Sequence, residues 1–282
     1  CDIAWSAGDG VTLFGDSNRV ENCIIHDCNY SGTDCNPITL MGKGNIVTRN
    51  TVYNGGRGLI FIIFAKQSMI TYNEVYNASL VNRDVGGIYS WGTDAEGTAI
   101  AYNWVHDIIS EGGYEIGNGI YIDNFCANIT VHHNVIWNCS YNAFNYSRPA
   151  KNVYWFNNTA FSSPDVDYSY IPEGYADTSS GNKMYNNLLS YTIGDFDSLK
   201  KRNNLTLSEL PLRSAGDFDF RLRSDASEAI DKGIVIPGIT DGYVGDAPDI
   251  GAYENGSVFW KPGVGTVDTV PVTVSPARAI RK

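Results

Sequence analysis

Two aspartates, Asp84 in "VNRDVGG" and Asp123 in "YIDNF", have the side-chain type and the setting for bond cleavage. Paired carboxyl groups across a sugar perform glycoside hydrolysis, one protonating the leaving oxygen and the other acting as base or nucleophile. Glu115 in "GGYEIGNG" is a substitute for either, and Glu111 enters from the same loop. Tyr89, Trp91, Tyr121 and Tyr146 could lay aromatic faces against sugar rings. Arg83 and His106, with Asp94 and Glu96, could position a substrate. Thirty-nine residues separate Asp84 from Asp123, so they form a pair only if the fold stacks their segments.

The repeat supplies that stacking. "GGIYSWGTDAEGTAIAYNWVHD" (86–107) is echoed by "NGIYIDNFCANITVHHNVIWN" (118–138). An asparagine anchor recurs at Asn22, Asn50, Asn73, Asn103, Asn134, Asn157 and Asn186, with gaps of 28, 23, 30, 31, 23 and 29 residues. A period that varies by loop insertions while its core keeps one pattern indicates a solenoid. Two residues after the five stronger anchors stand Ile24, Val52, Val75, Val105 and Ile136; three before four of them stand Val47, Ile70, Ile100 and Val131. A third apolar piece lies upstream in each coil: "GVTL", "PITL", "GLIF", "GIYS", "GIYI" and "NAFN". Three period-two segments per repeat, without helical periodicity, predict three short strands per coil and about seven or eight coils, stacked about 4.8 Å apart. Asparagine suits the turn because it tolerates the left-handed conformation and its amide can bond backbone and neighbouring amides.

This repeat resembles the right-handed parallel β-helix of the pectin-lyase-like superfamily. The segment "GDFDFRLRSDASEAIDKG…GYVGDAPDIGAYE" (216–254) resembles the closing segment of secreted carbohydrate-active β-helix proteins. The likeness spans roughly residues 1–260. It implies an all-β solenoid of coils over 1–207, a closing segment over 208–262 and an extended linker or arm over 263–282. The superfamily holds hydrolases, lyases, epimerases and inactive members, so the resemblance implies fold and not reaction.

Composition narrows the partners. Twenty basic residues face 31 acidic ones, a net charge of −11, which disfavours nucleic acid and anionic membranes. It also disfavours a polyanionic polysaccharide unless calcium or a basic cluster assists; no cofactor is called for, and no motif indicates calcium. The longest apolar run, "GLIFIIFA" (58–65), is too short to span a bilayer and reads as a buried strand. No signal peptide opens the chain, which starts within a repeat, as a mature fragment lacking earlier coils would.

The six cysteines have no zinc-type spacing and suggest an oxidising, extracellular setting. Cys1–Cys23 is the expected coil-stacked pair; Cys28–Cys35 and Cys126–Cys139 are the local ones. Eight N-x-[ST] sites occur, at Asn29, Asn77, Asn128, Asn138, Asn145, Asn157, Asn204 and Asn255, against about four expected by chance. Glycans are expected on Asn29, Asn77, Asn138 or Asn255, and not on Asn145, whose strand position points it inward.

If Ile88, Ser90, Ile120 and Ile122 face the core, then Tyr89, Trp91, Tyr121 and Asp123 face outward. Extending the alternation adds Thr12 and Phe14, Thr39 and Met41, Ile60 and Ile62, and Phe144 and Tyr146. The expectation is a secreted glycoside hydrolase acting on a polysaccharide or oligosaccharide along this stripe. A lyase would need a base and a cation for the uronate carboxylate, and only Lys43, Lys66 and Arg148 lie near the strand ends. The other class of reading is a glycosylated, non-catalytic surface or filament protein assembling through its ends or its arm. A second small core over the aromatic stripe would favour that class.

Overall fold

In the computed structural model, which describes residues 1–110, 116–163, 171–192, 194 and 197–266, the chain winds as a right-handed parallel β-solenoid. Three parallel sheets form its walls. Sheet I has nine strands, sheet II six and sheet III eight, and successive strands of the chain visit I, II and III in turn. Among the described residues six coils carry all three strands, fewer than the seven or eight expected: the last described strand of sheet II is Phe144–Tyr146, while sheets I and III continue. Among the described residues there is no α-helix.

The core follows from the alternation. In sheet I, Ile25, Val52, Val75, Val105, Ile136 and Ala160 stack in register and are fully buried. In sheet III the same holds for Val47, Ile70, Ile100 and Val131. Every coil leaves half its side chains facing in, and only stacking covers them.

The asparagine ladder is present one residue away from part of its expected course. Amides of Asn50, Asn73, Asn103, Asn134, Asn158, Asn187 and Asn204 bond one to the next at 2.9–3.0 Å. Each also takes a backbone N–H from the coil before and gives to a carbonyl there, as Asn103 does with Asn73 and Ile70. Asn22, Asn157 and Asn186 are not in this ladder. They are the residues before it, and they hold the left-handed conformation at the bend (φ 54°, 48° and 58°). Cys23 takes the ladder position in its coil, with its N–H bonded to the Asn50 oxygen. The outward asparagines instead hold the closing segment: Asn157 donates to the Asp249 carbonyl, Asn186 to Ile234 and Asn203 to Lys232.

That segment packs on the outside of sheet I. Phe220, Leu222, Ile250, Tyr253 and Trp260 form a second core with Tyr72, Trp104 and Val135. The tail begins along the same wall, with Gly263, Val264 and Gly265 bonding to Tyr72, Thr51 and Asn22 in successively earlier coils. Residues 267–282, the rest of the expected arm, lie outside the described residues.

All six cysteines are free thiols, and none of the three expected bridges is formed. Cys1 does stack on Cys23, its N-terminal amine 3.6 Å from the Cys23 sulfur. Cys126 and Cys139 share a coil but sit on different walls, at the turn before sheet III and at the end of a sheet I strand. Burial pushes their thiols up to about 11 and about 12. Native-state labelling with a thiol reagent is therefore expected to leave Cys126 and Cys139 unmodified, and labelling in denaturant without reductant to reach all six. A shortfall in denaturant would show that bridges form after all.

Candidate functional site

The outer face of sheet II carries the expected aromatic stripe, shifted in two coils. Register pairs Thr12 with Thr39, Thr39 with Phe61, Phe61 with Tyr89, Tyr89 with Tyr121, and Tyr121 with Asn145. Ile60 and Ile62 therefore face the core, and Phe61 faces out. Phe144 and Tyr146 likewise belong to the core, so Tyr146 is no sugar platform, and Asn145 points outward rather than inward. One register step moves every side chain to the opposite face. The sequence did hold the signal: "NAFNYS" laid on "NGIYID" puts Asn142 over Asn118 and Asn145 over Tyr121.

Phe61 stacks on Tyr89 and Tyr121 packs against Tyr89 at a 44° tilt, both pairs with ring centroids 5.1 Å apart. They form a small core of their own outside the solenoid, and both tyrosines are buried. Arg57 lies over Tyr89, its guanidinium carbon 5.4 Å from the ring centroid, while it pairs with Asp34 and donates to the Asp84 carbonyl at 3.2 Å. Ring faces occupied by each other and by Arg57 cannot also stack on a sugar. Trp91, 43% exposed on the coil beside Asp123, keeps that capacity.

Asp123 is 7% exposed. Its Oδ2 accepts from the Tyr89 hydroxyl at 2.8 Å, and its Oδ1 from the Asn124 N–H at 2.7 Å. Asp84 precedes the neighbouring strand Val85–Ser90 in a left-handed turn (φ 62°) and keeps solvent-accessible surface. Protein packed around its carboxyl raises its pKa by desolvation, and the charge of Asp123 raises it further, against the opposing Arg57. The two acids expected to work together stand at opposite ends of the paired strands, Asp84 before Val85 and Asp123 after Ile122, and the Asp123 charge bears on Asp84. Tyr89 and Tyr121 are pushed upward too, by burial first and then by the Asp123 charge, and they remain hydroxyl donors.

Other candidates fall elsewhere. His106 is on sheet I, stacked between Tyr76 and Trp137 at 5.0 and 4.2 Å with Nδ1 against Asp107 at 2.7 Å, and it takes no part in this site. Sheet I carries a run of rings from His26 through Tyr53, Tyr76, His106 and Trp137 to Phe161, and His106 is one rung. Arg83 is exposed in the loop beside Asp84. Glu96 pairs with Lys66, and Asp94 accepts from Asn128. Glu111 and Glu115 lie outside the described residues. Arg57, Asp34, Asn118, Asn145 and Ser147 are site neighbours that sequence reasoning missed. Among the described residues no group of three or more His, Cys, Asp or Glu could hold a metal ion.

The expected glycan acceptors divide as well. Asn29 is fully buried, its amide donating to the carbonyls of Thr33 and Cys35, and has no room for a sugar. Asn138 is exposed, while Asn77 and Asn255 are half-buried.

Residues 1–161, which contain all six complete coils, match the family described as "Right handed beta helix region". The chain belongs to the right-handed β-helix family. The crystal structure of pectate lyase Pel9A superposes on this member with a TM-score of 0.69, at 17% identity, covering 90% of this chain and 69% of that one. At that identity the likeness concerns the fold. No curated protein matches the sequence. No helix among the described residues is long and apolar enough to cross a membrane.

Proposed function

We propose that this β-helix protein is a secreted glycoside hydrolase that cleaves a neutral or lightly charged polysaccharide on the outer face of sheet II. The observation that carries the reading is the Asp84–Asp123 pair: the Asp84 carboxyl has its pKa raised by burial and by the Asp123 charge, and Asp123 accepts hydrogen bonds on both oxygens. Asp84 fits the acid that protonates the leaving oxygen. Asp123 fits the base or nucleophile. The fold neighbour named a pectate lyase raises β-elimination as the competing chemistry. Elimination on a uronate calls for a base and a cation, but here Arg57 is paired with Asp34, Lys66 with Glu96 and Arg148 with Asp177. Cleavage in ¹⁸O-labelled water separates the two: hydrolysis places the label in the new reducing end, and elimination leaves an unsaturated, unlabelled product.

The acid role of Asp84 has a pH consequence. Its raised pKa means that the proton persists to higher pH than on an ordinary aspartate and is lost as pH rises through that value. The expected profile of kcat/KM has its basic limb set by Asp84, and Asp84→Asn removes the limb with most of the rate. Trp91→Ala is expected to raise KM about tenfold or less with little change in kcat, since an exposed indole contributes binding rather than chemistry. A fall in kcat alone would contradict that role.

The burial of Tyr89, Tyr121 and Asp123 favours a second reading, a non-catalytic scaffold whose outer ring stack is structural. Polysaccharide cleavage by the purified chain, lost in Asp123→Asn, separates the readings.

A further inference from the structure

We propose that Asn145 is the specificity residue of a sugar subsite beside Asp123, taking a hydroxyl group of a neutral sugar and rejecting a uronate. The proposal rests on the reading that sheet II binds carbohydrate, and it adds which carbohydrate.

A chain of amides fixes the chemistry. Asn118, fully buried, donates through Nδ2 to the Val85 carbonyl at 2.9 Å. A carbonyl can only accept, so Asn118 must turn its oxygen the other way, toward Asn145. Asn145 answers with Nδ2, at 3.0 Å from that oxygen. Reversing either amide would set two donors or two acceptors against each other. The Asn145 oxygen is thereby committed to pointing away from the relay, and there it has no donor among the described residues, although the residue is only 5% exposed. Buried acceptors are nearly always paired in native proteins, and an unpaired one beside a candidate site indicates a missing partner.

The surroundings define that partner. Asn145 is the register neighbour of Tyr121, whose hydroxyl lies 3.2 Å from the Ser147 Oγ. Asp123 is two residues along the strand from Tyr121, and Asp84 is within range of its charge. These groups are acceptors or hydroxyls, and the two nearby cations are already paired, Arg57 over Tyr89 with Asp34 and Arg148 after Ser147 with Asp177. An arriving hydroxyl donates to the Asn145 oxygen. An arriving carboxylate meets an oxygen with no proton to share, on the strand beside the one that leads into Asp123. Because the oxygen is sealed in the unliganded chain, neighbouring side chains must part on binding, and the ligand then pairs an acceptor that was unpaired.

Calorimetric titration of the full chain tests this, with xylohexaose, cellohexaose, mannohexaose and galacturonate hexamer as probes. The wild type is expected to bind at least one neutral hexamer and to bind the galacturonate more weakly. Asn145→Ala is expected to weaken that binding about tenfold, with Tm little changed, because it exchanges one unpaired acceptor for another, the Asn118 oxygen. A Tm fall with unchanged affinity would assign Asn145 a structural role and overturn the proposal. Preference for galacturonate, or no binding of any neutral hexamer, would also overturn it. Turnover is not read, so a chain that binds but does not cleave would end the hydrolase reading and leave the subsite standing.

Discussion

Asp123→Asn is expected to lower turnover of the polysaccharide substrate by about 10²–10⁴-fold, the usual contribution of a positioned acid–base or nucleophilic group. Folding should survive. The asparagine oxygen can still accept from the Asn124 N–H, and its amide, standing where Oδ2 was, can donate to the Tyr89 hydroxyl oxygen, so both contacts that hold the present side chain can persist. The residue stands on the outer side of sheet II and contributes nothing to the apolar interior. A variant that melts like the wild type yet retains full rate would remove Asp123 from the chemistry.

The second large effect concerns stability. Asn103 takes the Asn73 N–H and amide on its oxygen and gives its own amide to the Ile70 carbonyl and to Asn134, all fully buried or nearly so. Asn103→Ala leaves two buried donors without their acceptor, the Asn73 backbone N–H and one Asn73 amide hydrogen, and removes the amide that bonds the Ile70 carbonyl. Each such orphan costs about 1–3 kcal/mol, so a loss of roughly 3–4 kcal/mol is expected by urea denaturation. Asn22→Ala is the contrast. Asn22 sits at the equivalent bend but outside the ladder, and its oxygen takes one exposed bond from Gly265. Its loss should stay below about 1 kcal/mol. Equal losses at the two positions would contradict the one-residue offset between bend and ladder.

That offset also shows what the sequence could and could not reveal. Three strands per coil, the core rows through Val52 and Ile70 and the outward Tyr89–Tyr121 pair were legible, because period-two alternation and a repeated Asn leave little freedom. Asn–Asn doublets at 157–158 and 186–187 were ambiguous, since the left-handed bend and the ladder both favour asparagine. Only the spacing to the following core residue tells them apart. Register in the sixth coil was lost at "NAFNYS", where apolar residues stand at alternate positions but an outward asparagine replaces the tyrosine. His106 could not be excluded from the site by spacing alone, because its wall, and not its distance along the chain, decides what it touches. The Arg57–Asp34–Asp84 cluster joins loops from separate coils, and each loop has its own length, so no fixed offset betrays it. How far the outer rings are covered depends on those same loops.

Asp123→Asn, folded but unable to turn over, allows the most direct test. Its crystal structure with a bound neutral oligosaccharide should place a glycosidic oxygen within about 2.6–3.2 Å of the Asp84 carboxyl. The residue 123 side chain should lie on the other side of the same linkage, with the sugar chain running across the coils of sheet II past Trp91. An oligosaccharide seated on sheet I or sheet III, or one on sheet II whose linkages lie out of reach of Asp84, would contradict the assignment of this carboxyl pair as the catalytic centre.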